Sequence, residues 1–223
     1  MNGANVTTFY LLDLDRTLLD TEKSANLLRT VVAQHSPALA VELARNVEDY
    51  SLLGESFSMR DFIVEKVGEA EATEIERRFI AAASGQDLLN VGARELMAYI
   101  RSLSDATFGI LTYGLLGGQT MKIRAAGMAD VPSLVTSETF KGEQISSWRG
   151  EDGVYHLPEE LGGGMATTIA FVDDKPFSFK GLTADCRGYW VKSLYDAGKE
   201  KLPSYITPVE TLLEIIDLEK AFA

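Results

Sequence analysis

Phe9-Tyr10-Leu11-Leu12-Asp13-Leu14-Asp15-Arg16-Thr17-Leu18-Leu19 drives two carboxylates to the end of a hydrophobic run. Four consecutive large apolar residues ahead of a turn-prone cluster indicate a strand buried on both faces, over about residues 7 to 14, as in a parallel sheet covered by helices. The acids then stand at the carboxyl end of that strand. In open α/β sheets this edge is where ligands bind, and two carboxylates one residue apart can share a cation or divide nucleophilic and proton-transfer roles there. An Asx-type turn after the strand is the purely structural alternative.

Beyond the acidic turn the pattern becomes helical. Leu27, Leu28, Val31 and Val32 recur at helical spacing, and Leu39, Leu43, Val47 and Tyr50 form the inner stripe of a second amphipathic helix. Ser58-Met59-Arg60-Asp61 has the form of a capping box and predicts a third helix start. Glu71 to Ala83 continues helical, with Ile75, Phe79 and Ile80 on one face. Residues 21–86 therefore read as an inserted all-helical module, because nothing in them has strand character.

The α/β pattern resumes with a helix over Gly92 to Leu103, followed by the apolar run Thr107 to Thr112 and then Tyr113-Gly114. A hydroxyl with a small backbone behind it at a strand end can offer an O–H and N–H groups to an anion; strand propensity alone is the other reason for a Thr there. A helix over 117–126 is stopped by Gly127. Val131 to Val135 reads as a strand near a sheet edge, since Pro132 cannot donate to a ladder. Lys141 falls in a loop, where a lysine is ordinarily solvated. In residues 142–166 no element is readable, and Gly162-Gly163-Gly164 has the composition of a flexible connector. Thr168 to Val172 is a further buried strand that again ends in acids, Asp173-Asp174. Gly188 to Val191 is a fifth strand, and Val209 to Lys220 a closing helix.

Composition limits the partners. The 223-residue chain carries 33 acidic against 21 basic residues, a formal charge of −12, and no Lys/Arg-rich run, which argues against a nucleic-acid duplex as partner. No apolar run approaches the roughly 20 residues needed to cross a bilayer, so no membrane insertion is expected. The single Cys186 cannot form an internal disulfide, and the start of the chain lacks a signal-peptide pattern, so the expected location is cytoplasmic.

Taken in order, Asp13-Leu14-Asp15-Arg16-Thr17, strand-end Thr112, Lys141 and Val172-Asp173-Asp174 resemble the four-motif signature of the haloacid dehalogenase-like hydrolases, across most of the chain. The resemblance implies a Rossmann-like α/β core of parallel sheet flanked by helices (residues 1–20 and 87–223) and a small helical cap domain (21–86). It implies Asp13 as a nucleophile forming an aspartyl-phosphate and Asp15 as the acid that protonates the leaving oxygen and later activates water. Mg²⁺ is the implied cofactor, held by Asp13, the backbone carbonyl of Asp15, Asp174, and Asp173 directly or through water. Thr112 with the N–H groups of Tyr113 and Gly114 is expected to bind the phosphate, and Lys141 to compensate negative charge. Three features depart from the common pattern, the first being that the fourth motif lacks the acid several residues downstream found in many members. Arg16 stands where glycine is most usual, and Lys141 lacks the Pro-Asp-Pro that often follows the motif lysine, which leaves Lys122 as a rival.

The expected activity is hydrolysis of a small phosphorylated metabolite, with the Val-Asp-Asp-Lys-Pro segment pointing weakly to nucleotidase-like substrates. Asp15 distinguishes this from dehalogenation, which needs no leaving-group acid. A phosphotransferase or mutase of the same fold, or a catalytically idle binding protein, are the alternatives. Arg60 is a candidate substrate contact on the cap, while His35 and His156 are expected to be incidental. Nothing in the sequence bears on oligomeric state.

Overall fold

The computed structural model describes residues 5–53, 57–193 and 202–222. Asn5–Leu12 forms β1, so Asp13 is the first residue past the strand. On one side β1 pairs in parallel with β2 (Ala106–Tyr113), and on the other with β5 (Met165–Asp173); Leu11 lies opposite Gly109 and Phe171. With β3 (Ser133–Thr136), β6 (Arg187–Val191) and β7 (Ile206–Val209) the strand order is β3-β2-β1-β5-β6-β7, every pair parallel. A two-residue strand, β4 (Tyr155–His156), adds antiparallel to the start of β5. β1 is thus central, which is why its residues 9–12 are apolar on both faces.

The side-chain alternation of β1 divides the core. Phe9 and Leu11 join Leu111, Ile145, Phe171 and Phe179 on one face. On the other, Tyr10 reaches α8 (Leu212–Phe222), where its hydroxyl donates to Glu219 Oε2 at 2.6 Å. Tyr189 donates to the second carboxylate oxygen, and Arg187 Nε stands 2.9 Å from it, so the buried Glu219 charge is met from three sides. α5 (Ala93–Ser102) packs beside α8 and on β2. Gly109 is required by close packing: a Cβ there would lie 2.8 Å from Leu161 Cδ2 and 3.0 Å from the Pro132 carbonyl.

The core strands and helices form one compact unit, residues 1–18, 89–113 and 131–223; the second comprises 19–88 and 114–130. In that second unit α1 (Thr21–His35), α2 (Pro37–Leu53), α3 (Met59–Val67) and α4 (Glu69–Ala83) are joined by α6 (Leu116–Ala125). Ser58 is the N-cap of α3, its hydroxyl accepting from Asp61 N at 3.3 Å, as the capping box requires. The side chain of Tyr50 lies outside those described. The core implied by the resemblance, residues 87–223, includes 114–130, whereas α6 packs on α3 and α4. The reason is its Gly117-Gly118 start, since a Cβ on Gly118 would stand 2.7 Å from the Ser58 hydroxyl. An apolar stripe reports that a helix is covered, and here backbone glycines choose what covers it.

Several local expectations change. Lys141 opens a short helix, α7 (Lys141–Ser147), instead of lying in a loop. Gly162, Gly163 and Gly164 form a defined turn, all at positive φ, that returns the chain into β5, with Leu157 N donating to the Gly164 carbonyl at 3.0 Å. β7 was not expected at all: its Pro208 reads as a breaker but sits on an edge strand, where a missing donor costs little. The closing helix accordingly starts at Leu212, after that strand. Among the described residues no helix is long and apolar enough to cross a membrane.

Candidate active site

Three parallel strands deliver the site. Asp13 follows β1, Thr112 is the penultimate residue of β2, and Asp173 ends β5 with Asp174 directly after it. All four side chains are buried at the carboxyl edge of the sheet. Lys141, the first residue of α7, is also buried at 2% exposure. Its ammonium donates to Asp13 Oδ1 and, at 2.7 Å, to Asp173 Oδ2. Lys141 therefore stands between the two acids, while Lys122 lies within α6 of the helical unit. A Cβ on Gly142 would lie 2.6 Å from the Lys180 carbonyl, so only glycine lets the first turn of α7 come this close.

One ligand atom from each of Asp13, Asp173 and Asp174 lies within 4.8 Å of the others. Their oxygens are not equivalent. Asp173 is fully used, Oδ2 by Lys141 and Oδ1 by the Lys175 backbone N–H at 2.8 Å. Asp174 Oδ2 accepts from the Ser193 hydroxyl at 2.9 Å, but Oδ1 is buried with no hydrogen-bond partner. A buried acceptor left bare in an acidic cluster fits a cation, and an all-oxygen donor set suits a hard divalent ion such as Mg²⁺. Asp13 and Asp174 are the residues placed to hold it, while both Asp173 oxygens already accept a hydrogen bond.

Electrostatics agree with that reading. Burial, with Asp173 and Asp174 adding to it against the pull of Lys141, raises the Asp13 carboxyl to about 7. Burial, then Asp173, raises Asp174 to about 6, opposed by Ser193, Lys175 and Arg16. Burial disfavours the Lys141 ammonium, yet Asp13 and Asp173 outweigh it and hold its pKa above the ordinary lysine value. Because both aspartate pKa values are raised on folding, the stability they contribute is present at low pH and lost as pH rises towards about 6 to 7. Protein stripped of metal by a chelator should therefore melt lower near pH 7.5 than near pH 5, with each kcal/mol worth about 2–4 °C in Tm. Excess Mg²⁺ should close most of that gap. Scanning calorimetry at both pH values checks this, and an Mg²⁺ effect on Tm that does not grow with pH would contradict it.

The remaining candidates are less engaged in the cluster. Asp15 is half-buried and its carboxylate is not part of the trio. Tyr113 ends β2, with Lys175 Nζ 5.8 Å from its ring centroid. Gly114 has φ of +146° and begins the helical unit. Arg16 adopts a left-handed φ of 62°, the conformation for which the usual glycine is suited. Arg60 is committed inside the helical unit, its Nε 3.0 Å from Glu76 and its terminal nitrogen bonded to Glu69. His35 and His156 each place Nε2 3.2 Å from a carboxylate, of Glu71 and Asp152 respectively. Sequence reasoning missed Trp190 and Ser193, which hold Asp174. Ser193 follows the apolar run 188–191 closely, the same signal that singled out Thr112.

A parallel α/β sheet with this acidic edge defines a class, and its relatives in structure are specific. No protein-family model matches the chain, and no curated protein matches it in sequence. Solved structures do. A putative haloacid dehalogenase-like hydrolase from Burkholderia xenovorans superposes with a TM-score of 0.62 at 17% identity, covering 97% of this chain and 98% of its own. CbbY from Rhodobacter sphaeroides in complex with phosphate gives 0.52 at 18% identity over 94% and 96%. L-2-haloacid dehalogenase from Xanthobacter autotrophicus gives 0.51 at 14% identity over 98% and 100%. The chain has the fold of the haloacid dehalogenase-like hydrolases.

Proposed function

We propose that this protein is a Mg²⁺-dependent phosphatase of a small phosphorylated metabolite, acting through an aspartyl-phosphate on Asp13. The observation that carries the proposal is the buried Asp13–Lys141–Asp173 bridge beside the bare Asp174 Oδ1. A structural ion pair has no use for a third buried acid with one oxygen left bare.

In the first step an Asp13 oxygen bonds to phosphorus as the ester P–O bond breaks, and Asp15 gives its proton to the departing oxygen. In the second, Asp15 takes a proton from water as that water attacks phosphorus, and the acyl-phosphate bond breaks to release phosphate and restore Asp13. Lys141 favours the ionised form of Asp13 against burial and offsets the charge of the phosphoryl group. The Thr112 hydroxyl and the N–H groups of Tyr113 and Gly114 hold the equatorial oxygens. Asp13, the Asp15 carbonyl and Asp174 would hold Mg²⁺, which when bound would relieve charge repulsion between carboxylate and phosphate. The helical unit is read as the cap that selects the leaving group, and its insertion directly after the catalytic turn is the support for this. A cytoplasmic setting belongs to the same reading, resting on the buried free thiol of Cys186.

A panel of phosphorylated metabolites, including nucleoside monophosphates and sugar phosphates, assayed with Mg²⁺ and with chelator, tests the proposal. Phosphate release from at least one member that disappears with chelator is expected. Halide release from 2-haloacids without phosphate release from any ester would reject it, as would stoichiometric phosphoryl transfer to an added sugar in place of water.

A further inference from the structure

Asp174 is gripped at two points by the chain of β6. Its backbone carbonyl accepts from the Trp190 indole Nε1 at 3.0 Å, and its Oδ2 accepts from the Ser193 hydroxyl at 2.9 Å. The register of the sheet places Trp190 opposite Asp173, which brings the segment after β6 alongside the acidic pair. Asp174 itself is fully buried, and its Oδ1 alone has no hydrogen-bond partner. The carboxylate thus presents one oxygen to the acidic cluster while the other is held by a hydroxyl proton.

We infer that Ser193 is a positioning residue that makes Asp174 a one-oxygen ligand and thereby sets the preference of the site for Mg²⁺ over Ca²⁺. The inference rests on the metal site proposed above and goes beyond it. Mg²⁺ takes single carboxylate oxygens in a small octahedral shell at about 2.0–2.1 Å and retains waters, whereas Ca²⁺ accepts 6–8 oxygens and readily takes both oxygens of one carboxylate. Two-oxygen ligation by Asp174 has to turn Oδ2 towards the ion and strains the Ser193 bond, which fixes the orientation of that oxygen. Mg²⁺ bound to Oδ1 keeps that bond. The serine therefore opposes two-oxygen ligation of Ca²⁺ without opposing one-oxygen ligation of Mg²⁺, and it fixes the carboxylate rotamer for the smaller ion.

The test is metal affinity measured without turnover. Mg²⁺ and Ca²⁺ are titrated separately into the full-length protein and into Ser193→Ala, Ser193→Thr and Asp174→Asn, followed by tryptophan fluorescence, for which Trp190 is a reporter bonded to the ligand residue, and by calorimetry. In Ser193→Ala the Mg²⁺ affinity should fall by about 10-fold or more, within the range of outer-shell substitutions. Its Ca²⁺ affinity should hold or rise, so that the Mg²⁺/Ca²⁺ ratio falls by at least about 10-fold. Ser193→Thr keeps the hydroxyl and should retain the wild-type ratio. A ratio unchanged in Ser193→Ala, or a Thr variant displaced as far as the Ala variant, overturns the inference while leaving the metal site standing. Wild-type affinity for both ions that survives in Asp174→Asn overturns the site and the inference together. Unchanged thermal stability of Ser193→Ala with chelator present identifies any loss as one of metal binding and not of folding.

Discussion

Asp13→Asn is expected to lower turnover of every phosphate ester by on the order of 10⁴–10⁶-fold, the scale on which removal of a covalent nucleophile reads. The amide can neither attack phosphorus nor bring its negative charge to a cation. The same substitution should raise stability in metal-free protein near neutral pH. Folding pushes the Asp13 carboxyl up to about 7 because burial, Asp173 and Asp174 oppose its charge, so replacing it by a neutral isostere removes a cost at pH 7.5 that Lys141 only partly offsets. Loss of activity and gain in Tm together separate a catalytic role from a structural one, since a structural acid would lose both. Acid quenching during turnover of wild-type protein should trap one phosphoryl group on the peptide containing Asp13. Absence of that adduct during rapid turnover, or near-normal phosphatase activity in the Asn variant, would remove the covalent mechanism.

The parts of this site that could be read in the sequence share one feature: each sits at the end of a buried strand. Phe9 to Leu12, Thr107 to Leu111 and Thr168 to Val172 announce themselves as apolar runs, and a polar residue that ends such a run is conspicuous because it has no reason of packing to be there. Asp13, Thr112, Asp173 and Asp174 were found in this way. Lys141 was placed by resemblance alone. Its segment is a seven-residue helix, too short to show a period, and its burial arises from contacts distant in sequence: Asp13, Asp173 and the backbone of 179–182 against Gly142. Likewise, β7 was invisible because four residues containing a proline carry less signal than the helix after them. The placement of α6 was hidden for a different reason. Gly117 and Gly118 are too small to contribute to any hydrophobic stripe, yet their missing side chains determine which helices come near.

Lys141→Met is the substitution with the largest expected effect on folding as well as on chemistry. The ammonium is buried at 2% exposure and bridges two buried carboxylates; Asp173 in particular is fully shielded from solvent. Methionine fills much of the same volume, so the loss is electrostatic and not a cavity. Removing one partner of a buried charge cluster costs about 3–5 kcal/mol, or roughly 6–20 °C in Tm at about 2–4 °C per kcal/mol. The pH dependence gives the cause. Without Lys141 the folded-state pKa of Asp13 must rise further, and a carboxyl raised on folding is tolerated when protonated and costly when ionised. The destabilisation should therefore be small near pH 5 and large near pH 7.5. Adding Asp173→Asn to Lys141→Met should recover much of the lost stability at the higher pH but none of the turnover, because Asp13 would still face the phosphoryl group without its cation. Thermal melts of the wild type and the two variants with chelator at both pH values decide the matter: an equal Tm loss for Lys141→Met at pH 5 and 7.5 would mean that the lysine acts through packing of its aliphatic stem, and the charge bridge would not be what holds α7 to the catalytic edge.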